Sequence, residues 1–142
     1  MTYLDTGCFV KLYYPEADSA KVVALIQGKQ LCHTPLHALE FVNALQLKVF
    51  FGNATAAQAK AARALVEADL KAGVLVSPAG AWKDILAEAA KLAEQHTGTI
   101  GCRSLDILHC AAAKVLAASE FISTDSRQKK LATAMGLNLV TF

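Results

Sequence analysis

The sequence contains no uncharged apolar stretch approaching the ~18–20 residues that a membrane-spanning helix requires. Its first residues also lack a basic segment followed by a long apolar run, so secretion is not signalled and a cytoplasmic protein is expected. Neither sign of charge is in excess: 14 Lys and Arg stand against 12 Asp and Glu, a net charge of +2. That balance is too even to indicate coating of DNA, and any basic groove has to be local. Cys8, Cys32, Cys102 and Cys110 form neither a Cys-x-x-Cys pair nor a Cys/His cluster at zinc spacing. Each falls beside apolar or small residues and reads as reduced and mostly buried. Cys8 lies close enough to Asp5 to raise a catalytic thiol, but packing is the stronger reading. No internal repeat, low-complexity tract or Pro/Gly-rich linker divides the chain, so residues 1–142 are expected to form one domain.

What the sequence does have is alternation. Five short apolar segments read as strands, at about Thr2–Leu4, Leu31–Thr34, Val74–Ser77, Glu120–Ser123 and Asn138–Thr141. Helical patterns separate them. Lys21–Ile26 is amphipathic and is expected to continue from a helical stretch near Phe9–Tyr14. Leu36–Phe50 repeats apolar residues at three and four, and Thr55–Ala72 opens on the capping box Thr55-x-x-Gln58 and stops at Gly73. Trp82–Gln95 places Ile85, Leu86, Ala89, Ala90 and Ala93 on one side; Arg103–Ala118 is nearly all apolar, hence buried on most sides; Ser126–Met135 ends at Gly136. Strands alternating with helices imply an α/β fold, a parallel sheet covered on both faces and doubly wound by right-handed crossovers. The consecutive helices Leu36–Phe50 and Thr55–Ala72 exceed a one-helix crossover and read as a hairpin leaning away from the sheet. Phe50 and Phe51 at its tip either tuck back under the sheet or form a partner contact.

Four carboxylates carry most of the functional information. Asp5 ends the first strand, Glu40 lies inside an apolar helical run, Asp106 interrupts Ser104-Leu105-Asp106-Ile107-Leu108-His109-Cys110-Ala111-Ala112-Ala113, and Asp125 follows the fourth strand. Asp5 and Asp125 are each explained by a plain helix cap, Asp125 with Gln128 coming close to a capping box. Asp106 has Arg103 three residues before it, but a charged pair on so apolar a helix lacks a stability rationale, and a site role is favoured. Glu40 shares a helical face with Asn43, which alone reads as a solvated stripe. Together, four carboxylates in apolar settings read as one site holding a cation, gathered beyond the strand ends where strand order reverses. His33, His37, His96 and His109 show no metal spacing, and His109 reads as a satisfied core histidine rather than a base. An oxygen-only donor set points to Mg²⁺ or Mn²⁺ rather than zinc or copper.

The runs Tyr3-Leu4-Asp5-Thr6, Leu39-Glu40-Phe41-Val42-Asn43-Ala44-Leu45, Arg103 to Ala113 and Ser123-Thr124-Asp125-Ser126-Arg127, followed by Leu131-Ala132 and Gly136-Leu137, resemble the PIN domain over essentially the whole chain. The segment Ala54–Gly101 matches in pattern only, and Gly7 departs from the Ser that many relatives carry after Asp-Thr. The resemblance implies a three-layer α/β/α domain with a five-stranded parallel sheet of order 3-2-1-4-5. It implies a metal-dependent endoribonuclease, most similar to the single-domain toxins of VapBC toxin–antitoxin pairs, with an antitoxin partner and a homodimer. Asp5 and Asp106 are then the main ligands of one or two Mg²⁺ or Mn²⁺ ions, Asp125 completes the shell, and Glu40 holds a water or a second ion. Thr6, Asn43 and Ser123 would support these ligands, and Lys11, Arg103 and Arg127 are candidates for RNA phosphate contacts, with Lys129 and Lys130 read as solvated.

Other functions remain in competition. A phosphoacceptor receiver also gathers carboxylates at strand ends, but it needs a Lys at the last strand, and Asn138-Leu139-Val140-Thr141-Phe142 has none. A PIN nuclease of RNA processing outside a toxin pair, or a non-catalytic PIN scaffold binding RNA or protein, fits the same motifs; the presence of all four carboxylates argues against the scaffold.

Overall fold

In the computed structural model, which describes residues 1–142, five strands pair in parallel: β1 (Thr2–Leu4), β2 (Leu31–Cys32), β3 (Leu75–Val76), β4 (Glu120–Ile122) and β5 (Leu139–Val140). Their order is β3-β2-β1-β4-β5, as the motifs imply. Eight helices connect them: α1 (Thr6–Tyr13), α2 (Ser19–Ile26), α3 (Pro35–Phe50), α4 (Ala56–Ala72), α5 (Trp82–Leu92), α6 (Gly98–Ile100), α7 (Ser104–Val115) and α8 (Ser126–Ala134). A π-helical turn, Ala93–Thr97, joins α5 to α6.

The two-residue period of the strands divides the interior in two. Tyr3, Cys32 and Phe121 point to one face and pack against Ile85, Ala89 and Leu92 of α5, Ile107 and Cys110–Ala113 of α7, and Leu131 and Ala132 of α8. Leu4, Leu31, Leu75 and Ile122 point to the other, against Phe9 of α1, Val22 of α2, Phe41 and Leu45 of α3, and Ala59, Ala62 and Val66 of α4. The result is a three-layer α/β/α arrangement. Small residues make the first layer tight: Ala111, Ala112 and Ala113 are fully buried, and α7 packs closely against α5 and α8. No helix is long and apolar enough to cross a membrane.

Three expectations are corrected, and one of two alternatives is excluded. The helices at Phe9–Tyr14 and Lys21–Ile26 are not continuous: Tyr14 is extended ahead of Pro15, where helical backbone is disfavoured, and Asp18 turns the chain at φ 67° into α2. Leu86 and Ala90 do not join the buried side of α5, because Ile85, Ala89 and Leu92 take it and leave Leu86 56 % exposed. The α3–α4 hairpin does not lean away from the sheet, since Ala59, Ala62 and Val66 bring α4 into the core. Its tip does not tuck under either: Phe50 and Phe51 are 78 % and 68 % exposed, stacked edge to face on each other. The capping box at Thr55 and Gln58 and the left-handed stop at Gly73 (φ 74°) form as expected.

Candidate active site

In the order β3-β2-β1-β4-β5, connections run one way from β1 and the other way from β4, so the crevice at their carboxyl ends is the switch point of the sheet. The register Leu4 to Ile122 continues one step, with the Asp5 N–H donating to the Ile122 carbonyl at 2.9 Å, and this brings Asp5 beside Ser123. Asp5 is 4 % exposed and caps α1: Oδ1 accepts the Cys8 backbone N–H at 2.7 Å, and Oδ2 accepts the Ser123 hydroxyl at 2.5 Å. Ser123 has one hydrogen, and the charged acceptor takes it. Asp125 caps α8 in the same way, Oδ1 accepting the N–H groups of Arg127 (2.8 Å) and Gln128 (2.9 Å). Asp106, in the first turn of α7, accepts the Arg103 backbone N–H at 3.3 Å on Oδ2, with the Arg103 Nε 3.5 Å away.

Glu40 arrives from the opposite wall, on α3. Its Oε2 accepts the Thr6 hydroxyl at 2.6 Å and faces His109 Nε2 at 2.5 Å. Burial would raise its pKa, but the hydrogen bonds from His109 and Thr6 outweigh it, and Glu40 is held below the ordinary glutamate value.

The four carboxylates share one cleft of about 390 Å³, lined by Asp5, Thr6, Gly7, Glu40, Asp106, His109, Thr124, Asp125 and Gln128, with no hydrophobic residue among them. No three His, Cys, Asp or Glu side chains lie close enough to share one ion directly. The donors nevertheless suit a hard cation. They are oxygens, and Mg²⁺ keeps several waters and takes only one or two carboxylates directly. The N-termini of α1, α7 and α8 also face this crevice, where their dipoles favour a phosphate.

Of the other candidates, Thr6 lines the cleft and Ser123 lies buried beneath it. Asn43 is in an adjoining groove of about 510 Å³ that shares Thr6, Gly7 and Glu40 with the cleft and runs past Ala44 and Leu47 to Phe51. Arg103 is at the rim, its side chain 66 % exposed. Arg127 is in the first turn of α8, outside the cleft lining. Lys11 faces elsewhere: it sits 3.7 Å from Glu16, which Lys48 also contacts.

Two residues of the site escape sequence reasoning. Gln128 is legible there only as a cap partner. Instead of returning to the cap backbone, its buried side chain turns inward, with Nε2 3.4 Å from Asp106 Oδ1 and Oε1 3.0 Å from the Ser123 hydroxyl. His109 is a buried histidine, as expected, but its partner is Glu40. A carboxylate and a histidine 69 positions apart offer no spacing signal.

A family model described as the PIN domain matches residues 2–134. No curated protein matches the chain. Among solved structures, the fold is similar to the crystal structure of FitAcB from Neisseria gonorrhoeae, with a TM-score of 0.66 at 15 % identity over 99 % of this chain and 97 % of that one. At that identity the likeness speaks to the fold alone.

Proposed function

The chain belongs to the PIN domain family, and we propose that it is an endoribonuclease dependent on Mg²⁺ or Mn²⁺, acting in the cytoplasm as the toxin of a toxin–antitoxin pair. The observation that carries the nuclease reading is the all-polar cleft that Asp5, Glu40, Asp106 and Asp125 line at the switch point of the sheet. Asp5 and Asp106 would hold the cation, with Asp125 contributing directly or through water. When bound, the ion lowers the pKa of its water and offsets charge developing on the phosphate. Glu40 accepts a hydrogen bond from the attacking water and orients it. The N-termini of α1, α7 and α8 stabilise the phosphate oxygens, and Arg103, exposed at the rim, pairs with a phosphate as the strand enters.

The toxin assignment rests on the motif resemblance. The exposed tip at Phe50 and Phe51 supports contact with an antitoxin or a second copy of the chain. Purified protein incubated with mixed RNA should cleave it in Mn²⁺ and not in EDTA, and Asp5→Asn or Asp106→Asn should abolish cleavage. Cleavage retained in both variants would mean that the hydrolysis happens elsewhere. Growth arrest on expression, relieved by a neighbouring short reading frame, tests the toxin assignment.

A further inference from the structure

The chain buries two histidines to within 2 % of full occlusion, and they are satisfied by different partners. His37 is held largely by backbone: Nε2 donates to the Leu4 carbonyl at 2.8 Å, and Nδ1 accepts the Thr34 N–H at 3.1 Å, with the Thr34 hydroxyl 2.9 Å away. That is what a packing histidine needs. His109 is held by side chains alone, the Tyr3 hydroxyl 3.0 Å from Nδ1 and Glu40 Oε2 2.5 Å from Nε2. A neutral imidazole has one donor and one acceptor nitrogen, and a carboxylate only accepts. In the neutral ring Nε2 therefore carries the hydrogen and donates it to Glu40, and the Tyr3 O–H donates to Nδ1.

From this geometry we infer that His109 is a positioning residue that fixes Glu40, donating from Nε2 while the Tyr3 hydroxyl satisfies Nδ1, so that Glu40 presents a single oxygen to the cleft. Both donors, His109 and the Thr6 hydroxyl, bond the same oxygen, Oε2. Oε1 receives neither and is left for a cation or its water. A carboxylate pinned in this way cannot chelate through both oxygens. Without His109, one short hydrogen bond remains and the group can rotate. A buried histidine that only filled space would gain nothing from a carboxylate partner. The inference rests on the proposed cation site for its consequence but not for its geometry.

Three measurements test it. On metal-free protein, long-range ¹H–¹⁵N spectra should show His109 neutral and protonated at Nε2, with Glu40→Gln, whose amide can donate or accept, mixing the two tautomers; a stable Nδ1–H form or a doubly protonated ring in the wild type would overturn the assignment. Titration calorimetry with Mn²⁺ should show His109→Leu binding roughly 10- to 100-fold more weakly, the usual cost of losing a group that orients a ligand. His109→Gln, which keeps an N–H near Nε2, should recover most of that loss. In a Glu40→Gln background, His109→Leu should cost nothing further. Equal Mn²⁺ affinity in wild type and His109→Leu, or full additivity with Glu40→Gln, refutes the inference. If His109→Leu fails to fold, the spectra and the His109→Gln arm decide it alone. Should Mn²⁺ affinities follow this pattern while wild type leaves RNA intact, positioning stands and the nuclease reading falls. RNA cleavage alongside unchanged affinities means the reverse: the nuclease reading stands and positioning falls.

Discussion

Acidification to pH 5 should cost this protein about 2 kcal/mol of stability through one buried side chain. His37 has no exposed surface, and burial holds its pKa at about 3 against the ordinary 6.5. A base depressed on folding contributes stability that is fully present above its unfolded pKa and is lost as pH falls below it. Because the folded value lies well under 5, the loss depends on the unfolded value alone. The unfolded chain takes up a proton that the native state refuses, and RT ln(1 + 10^(6.5 − 5)) gives about 2 kcal/mol between about pH 7.5 and pH 5. His33, also depressed by burial, adds in the same direction. Glu40 does not enter, since a carboxylate held below its ordinary value gives up stability only at lower pH. Urea unfolding of wild type and His37→Gln at the two pH values isolates the effect. The variant keeps a donor for the Leu4 carbonyl, and the stability gap between the proteins should narrow by about 2 kcal/mol at the lower pH. An unchanged gap would refute the claim that His37 stays neutral in the fold.

Two further outcomes can be checked directly. Gly7 lies in α1 with its backbone away from the left-handed region, and an added Cβ would meet Asp5 Oδ1 at an ordinary 3.5 Å. Gly7→Ala should therefore raise stability by about 0.5–1 kcal/mol, a Tm gain of roughly 2–4 °C by calorimetry; a lower Tm would mean that the turn around Asp5 needs glycine's freedom. Phe50→Ser with Phe51→Ser should leave the Tm nearly unchanged because both rings are exposed, yet shift sedimentation toward monomer if the tip joins two copies.

The fold is legible in the sequence because its signals are local. Thr55 with Gln58, Gly73 and the alternation at Tyr3-Leu4 and Phe121-Ile122 each act within a few residues and agree with one another. Errors arise where tertiary packing chooses among locally equal options. Nothing in Ile85-Leu86 says which residue α7 will cover, and the outcome follows from where the sheet places α5. The site divides the same way. Its carboxylates stand out by contrast with apolar neighbours, whereas Gln128 and His109 are polar residues on helices whose partners lie 22 and 69 positions away.

Capping and metal binding are rival explanations of Asp5 and Asp125 in the sequence, and the structure removes the rivalry. In both residues Oδ1 accepts the helix N–H groups. A carboxylate has about four lone-pair sites, so a cap engaged through one oxygen leaves the other available. For Asp5 that second oxygen takes the Ser123 hydroxyl; for Asp125 no protein group donates to it. Capping thus does for Asp125 what His109 does for Glu40, pinning one oxygen so that the other has a fixed direction. The same bonds that start α1 and α8 align their N-termini on the crevice, where a phosphate would lie. A site built from helix starts needs no dedicated scaffold: the step from strand to helix supplies the carboxylate, its orientation and the field around it at once.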